Sequence, residues 1–145
     1  MKYLIQKRSK YIQKVKENNI NEFFNALNDP NNNFFSTPIW KKIDQNPEFF
    51  QSIPTESFVE NIVVLKNKNI RLLTSIINQR FMRISNAGQY YYNLKPIFDG
   101  FANGLEIKLQ NITVDKLKLD ILKEVVEALK KCSEHLENSR GGKPL

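Results

Sequence analysis

Residues 113–136 read TVDKLKLDILKEVVEALKKCSEHL, and the phase of their apolar side chains decides the fold class. Val114, Leu117, Ile121, Leu122, Val125, Leu129, Cys132 and Leu136 follow one another mostly at three- and four-residue steps. At 3.6 residues per turn they line one side of an α-helix about six turns long. Thr113 reads as its N-cap, with Asp115 well placed in the positive first turn. The opposite side sets Glu127 and Lys131 at i,i+4 and is nearly balanced in charge.

Upstream, the same period returns. Leu73, Ile76, Ile77, Phe81 and Ile84 mark an amphipathic helix over residues 70–84, preceded by a polar turn, Lys66-Asn67-Lys68-Asn69. Asn86-Ala87-Gly88 closes it, since Gly suits the left-handed position beyond a helix. Tyr90-Tyr91-Tyr92 fits either a strand or the start of the next helix. Pro96 favours a helix opening there and running through Phe98, Phe101, Leu105 and Leu109. Thr55 and Glu56 start another helix, with Phe58, Ile62 and Leu65 on one side.

Between residues 34 and 53 the chain breaks at Thr37-Pro38, Asn46-Pro47 and Ile53-Pro54, because proline tolerates only a first helical turn and pushes its predecessor out of the helix. Two short helices, near 38–45 and 47–52, fit between the breaks. The aromatics there, Phe34, Phe35, Trp40, Phe49 and Phe50, read as core plugs rather than base-stacking platforms.

Three short helical phrases end on comparable leucines: INEFFNAL at Leu27, FVENIVVL at Leu65 and FDGFANGL at Leu105, spaced 38 and 40 residues apart. Each is followed by a polar link and a second helical segment, broken in the first unit and regular in the other two. Helix pairs at such a period cover one another's apolar faces in an α-solenoid. The expected fold is therefore all-α, a short antiparallel helix-pair array resembling a solenoid.

The last two units, Phe58–Ile84 and Leu94–Cys132, resemble the heptatricopeptide and octotricopeptide repeats of organellar RNA-associated proteins. The likeness covers about 66 of 145 residues and lies in helix lengths, a Leu/Ile/Phe pattern and the phrase LKPIFDGFANGL. It implies RNA binding and ribosome or transcript maturation in mitochondria or plastids. It supplies no catalytic motif and no individual site residue.

Charge points to a polyanion by a separate route. Lys and Arg number 22 against 15 acids, a net +7 with a pI near 9.5, as nucleic-acid binders have. Six bases and no acid lie between Met1 and Lys16, on a segment whose Leu4, Ile5, Arg8, Tyr11, Ile12 and Val15 share a helical side. That segment reads equally as a transit peptide, a nucleic-acid arm or an ordinary first helix with a wet basic face. Lys66, Lys68, Arg71, Arg80 and Arg83 form a second group, with no acid from Asn61 to Arg83. The composition is rich in Asn and Ile and poor in Ala, and Lys outnumbers Arg 17 to five. Drift toward AT-rich codons accounts for that bias, which leaves the five arginines the more informative cations.

Other chemistries lack their parts. The five glycines form no phosphate loop, and a single His with a single Cys completes neither a zinc site nor a Cys–His nucleophile pair. Cys132 reads as core and His135 as the edge of the stripe; Glu56 and Glu60 answer a helix dipole. The sequon Asn111-Ile112-Thr113 has no signal segment before it. The longest aliphatic run, Ile62-Val63-Val64-Leu65, is far below the roughly 18–20 residues of a membrane span.

The expectation is a basic amphipathic segment over 1–18, a helical domain over 19–138 and a flexible tail over 139–145. Its role is that of a non-enzymatic RNA-associated subunit of a ribonucleoprotein, a mitochondrial ribosome or RNA-processing assembly. Lys7, Arg8, Lys10, Lys14, Lys66, Lys68, Arg71, Arg80 and Arg83 meet phosphates, with Tyr90–Tyr92 available to unpaired bases. Protein subunits are further partners; no cofactor, metal or small-molecule substrate is expected. The compartment is the mitochondrial matrix, otherwise the cytoplasm, since one cysteine suits a reducing environment. The alternative is a helical structural or adaptor subunit of a multiprotein complex without RNA contact.

Overall fold

A computed structural model describes residues 18–29, 33–81 and 87–141. These residues form helices and turns and no strand, so the fold is all-α. The helices are α1 (18–28), α2 (Pro38–Gln45), α3 (Thr55–Val63), α4 (Asn67–Phe81), α5 (Tyr91–Gln110) and α6 (Lys116–Gly141). Short 3₁₀ turns occupy Phe34–Ser36, Pro47–Ser52 and Ala87–Tyr90.

The proline breaks define the first unit. Thr37 accepts from the Trp40 N–H at 3.3 Å and Pro38 opens α2. Asn46 accepts from the Glu48 N–H at 3.1 Å and Pro47 opens the next turn. Side-chain oxygens thus satisfy donors that a helix start leaves free.

Among the next four helices, α3 packs on α5, α4 on α6, and α5 on α6. Thr55 of α3 lies against Gly100 and Gly104 of α5, and Val59, a turn further on, against Gly104, so α3 and α5 run the same way. Between α5 and α6 the direction reverses: Asp99 takes the Ser133 hydroxyl, whereas Glu106, further along α5, meets Lys130. α4 in turn lies parallel to α6: Ile77 O is 4.0 Å from Cys132 Sγ, and a turn further on Phe81 meets Phe98, next to the Asp99 that takes Ser133. First helix on first helix and second on second is compatible with the short helix-pair array expected.

Rings tie the first unit to this stack. Phe23 meets Phe34 at 5.9 Å and Phe50 at 5.5 Å, Phe50 meets Phe81 at 5.3 Å, and Phe81 meets Phe98 at 4.9 Å, mostly edge to face. Phe58 stacks on Phe101 at 3.9 Å and joins α3 to α5. All seven are buried, and Phe35 and Trp40 pack against them, so the aromatic stretch is core.

Five expectations need correction. The polar stretch 67–69 is helical: the Lys66 carbonyl accepts from the Asn69 and Ile70 N–H groups at 2.9 and 3.0 Å, which starts α4 three residues early. α5 starts at Tyr91 and carries Pro96 inside it; the carbonyl left without its donor belongs to Tyr92, which is 76% exposed and open to water. Asp115, not Thr113, caps α6, accepting from the Lys118 N–H at 2.8 Å. The last helix continues to Gly141, so residues 139–141 are not tail. Gly88 does not take the left-handed position expected of it: it lies within the Ala87–Tyr90 3₁₀ turn, and no described glycine has a positive φ. The basic segment over 1–17, the end of the expected 70–84 helix together with Asn86, and residues 142–145 lie outside the described residues.

Candidate nucleic-acid interface

Of the nine expected phosphate-binding residues, the structure describes four. Lys7, Arg8, Lys10, Lys14 and Arg83 lie outside the described residues.

Lys66, Lys68 and Arg71 gather at the start of α4. Lys66 supplies the carbonyl that opens the helix, and Lys68 and Arg71, three residues apart, share a face. All three are exposed. None is ion-paired with a described residue. Asn69 between them turns inward, 7% exposed, with Nδ2 3.5 Å from Asn28 Oδ1 at the end of α1. The first turn of α4 holds no acid. The helix dipole and the side-chain charges therefore add with the same sign, an unfavourable arrangement of about 0.3–1 kcal/mol per exposed cation. α6 also opens on cations, Lys116 and Lys118, but places the Asp115 carboxylate among them. Because α4 and α6 run parallel, Lys116 and Lys118 stand at the same end of the molecule as Lys66 and Lys68. Sequence distance hid that neighbourhood; only helix polarity reveals it.

Arg80 is elsewhere. Nine residues beyond Arg71 is two and a half turns, about 13 Å along the axis and on the opposite side of α4. Its side chain is 17% exposed. Nη2–H donates to the Asp44 carbonyl at 2.9 Å and Nε–H to the Ile43 carbonyl at 3.4 Å. The Asp44 carboxylate stands 3.7 Å from Nε. These carbonyls end α2, where a helix has no internal donors left and its dipole is negative. The guanidinium thus fastens α2 to α4. The phase of the sequence carried the signal: Arg80 lies four residues after Ile76 and seven after Leu73, on the buried stripe.

The tyrosines divide. Tyr90 and Tyr91 pack against the core, whereas Tyr92 is 76% exposed, with Tyr91 edge-on at 5.0 Å. At the same end of α5, Lys95 pairs with Asp99 at 2.7 Å, which holds its ammonium above the usual lysine range against a smaller opposing effect of burial. Lys130 is raised likewise by its hydrogen bond to Glu106. Burial alone pushes the Cys132 thiol up to about 12.

The charge is unevenly shared. The described side chains include thirteen Lys and Arg against fourteen Asp and Glu, so the helical body is close to neutral. The excess belongs to residues 1–17, Arg83, Arg140 and Lys143. Among the described residues no group of three His, Cys, Asp or Glu could hold a metal ion, and no helix is long and apolar enough to cross a membrane. No protein-family model, curated protein or solved structure matches this chain.

Proposed function

We propose that this chain is a non-enzymatic RNA-associated subunit of a ribonucleoprotein, holding phosphates with Lys66, Lys68 and Arg71. One observation carries the reading. Three exposed cations, none ion-paired with a described residue, crowd the acid-free positive end of α4, a cost to the fold that a bound polyanion offsets. The acid-free segment at residues 1–16 supplies most of the remaining positive charge and serves the same ligand from Lys7, Arg8, Lys10 and Lys14. Arg83 remains part of the reading through the sequence alone, and Arg80 contributes by holding α2 in place. The assembly is a mitochondrial ribosome or RNA-processing complex on the strength of the repeat resemblance.

The test is fluorescence anisotropy with single-stranded RNA across a salt series. On single-stranded RNA, each phosphate that the protein no longer neutralises lowers the slope of log affinity against log salt by about 0.7. R71E and K66E/K68E should weaken binding and flatten that slope. Equal affinity and slope for these variants and the parent removes the proposal.

A second reading, a helical adaptor subunit without RNA contact, is favoured by the near neutrality of the described body. Its mark is native purification free of nucleic acid, with protein subunits co-eluting.

A further inference from the structure

The outward side of α6 carries Lys116, Asp120, Lys123, Glu127, Lys131 and Glu134, spaced by four, three, four, four and three residues. That spacing keeps all six on a common face. Each is exposed, and none is ion-paired with a described residue. Lys130, beside them, is committed to Glu106 of α5. Along the stripe the signs alternate strictly.

Solubility of an exposed helix face asks for charge, but in any order. Pairing within the helix would use the alternation, yet these six side chains are not joined to one another. The alternation has a further property: read backwards, the stripe is its own complement. About Val125, Lys116 falls opposite Glu134 and Lys123 opposite Glu127, and Asp120 falls within one residue of Lys131. A second α6 laid antiparallel along the first therefore meets an unlike charge at, or within one residue of, each position, over about 27 Å. In a two-fold contact each of these pairs occurs twice. The shallow groove between α4 and α6, about 330 Å³ and bordered by Thr74 and Asn78, flanks the stripe and leaves room for the neighbour's long side chains.

We infer that the outward face of α6 is the contact surface of an antiparallel homodimer, its register and direction set by charge. This inference goes beyond the RNA reading and does not rest on it. Contacts of this polar kind give specificity and orientation more than tight binding, and salt screens them. The dimer is accordingly a reversible, salt-sensitive one.

Sedimentation equilibrium of the nucleic-acid-free full chain tests it, at about 0.05 M and about 0.5 M salt. The parent should dimerise at low salt and dissociate at high salt. K123E and E127K each place like charges opposite one another twice, so each alone should weaken self-association by about tenfold or more. Mixed in equal amounts, the two variants should form a heterodimer, because each new charge then meets its opposite. D120K and K131D give an independent pair for the same exchange. A parent that stays monomeric at low salt, single variants that dimerise as the parent does, a mixture that does not associate, or association that requires RNA each overturns the inference.

Discussion

Replacing Arg80 by Met keeps the aliphatic stem and removes the guanidinium, which separates its structural work from any contact with phosphate. The hydrogen bond to the Asp44 carbonyl, at 2.9 Å from a charged donor, is worth about 1.5–3 kcal/mol. The 3.4 Å bond to the Ile43 carbonyl adds little. The Asp44 carboxylate is 62% exposed, so solvent screens that pair to a few tenths of a kcal/mol, about the value of a surface ion pair. Water replaces part of what is removed, and R80M should cost about 2 kcal/mol. Urea unfolding followed by circular dichroism reads this as a fall in midpoint of about 1 M with an unchanged slope. R80K, which keeps charge but not the planar fork, should lose roughly half as much. R71M, on the exposed side of α4, should change stability by no more than about 0.5 kcal/mol. RNA affinity should show the reverse order, falling for R71M and holding for R80M at temperatures where it is folded. An R80M protein as stable as its parent, with RNA affinity reduced as in R71M, would refute the assignment of Arg80 to the α2 terminus.

Four further outcomes follow from the structure. The Cys132 thiol keeps its proton to about 12 when folded, against an ordinary value of 9.0. The unfolded chain therefore binds fewer protons between those values, and stability falls as pH rises through that window by up to about 1.4 kcal/mol per pH unit; C132A should lack this slope, and a thiol reagent should react with the parent only on unfolding. A Cβ at Gly100 meets nothing closer than Thr55 Oγ1 at 3.4 Å, so G100A should raise stability by about 0.5–1 kcal/mol. A Cβ at Gly104 already stands 3.0 Å from Thr55 Cγ2 and 3.2 Å from Val59 Cγ2, so G104L should push α3 off α5 and cost about 1–3 kcal/mol in the same urea assay. D115A should cost about 1 kcal/mol while T113A is close to neutral in thermal unfolding, because it is the Asp115 carboxylate that accepts from the Lys118 N–H at the start of α6.

The fold was more legible than the site. Heptad-like runs such as Leu122, Val125, Leu129, Cys132 and Leu136 survive as buried positions because a long helix lets periodicity average over many side chains. Prolines 38 and 47 marked the breaks in the first unit because their geometry is local. Helix starts were harder. Asn67 and Lys68 look like a turn in composition, and the tertiary contact of Asn69 with Asn28 that helps fix α4 comes from 41 residues away. Thr113 and Asp115 are both good caps by type, and only the backbone direction chooses between them. The order of cations along the chain does not give their rotation about the helix: Arg71 faces water and Arg80 faces α2. Direction in the array, which brings Lys116 near the end where Lys66 stands, has no one-dimensional signature.

The ring chain from Phe34 through Phe23, Phe50 and Phe81 to Phe98 has a bearing on how the molecule comes apart. Stacked repeats ordinarily peel from an end, each module parting from its one neighbour. Here Phe50 touches Phe81 of α4 and also lies 6.3 Å from Phe98 of α5, so the front of the chain is held by two later helices at once. Losing that front would leave two phenylalanines facing solvent on different helices. A protease should accordingly find either the intact body or fragments too short to persist, with no trimmed survivor beginning near Thr55.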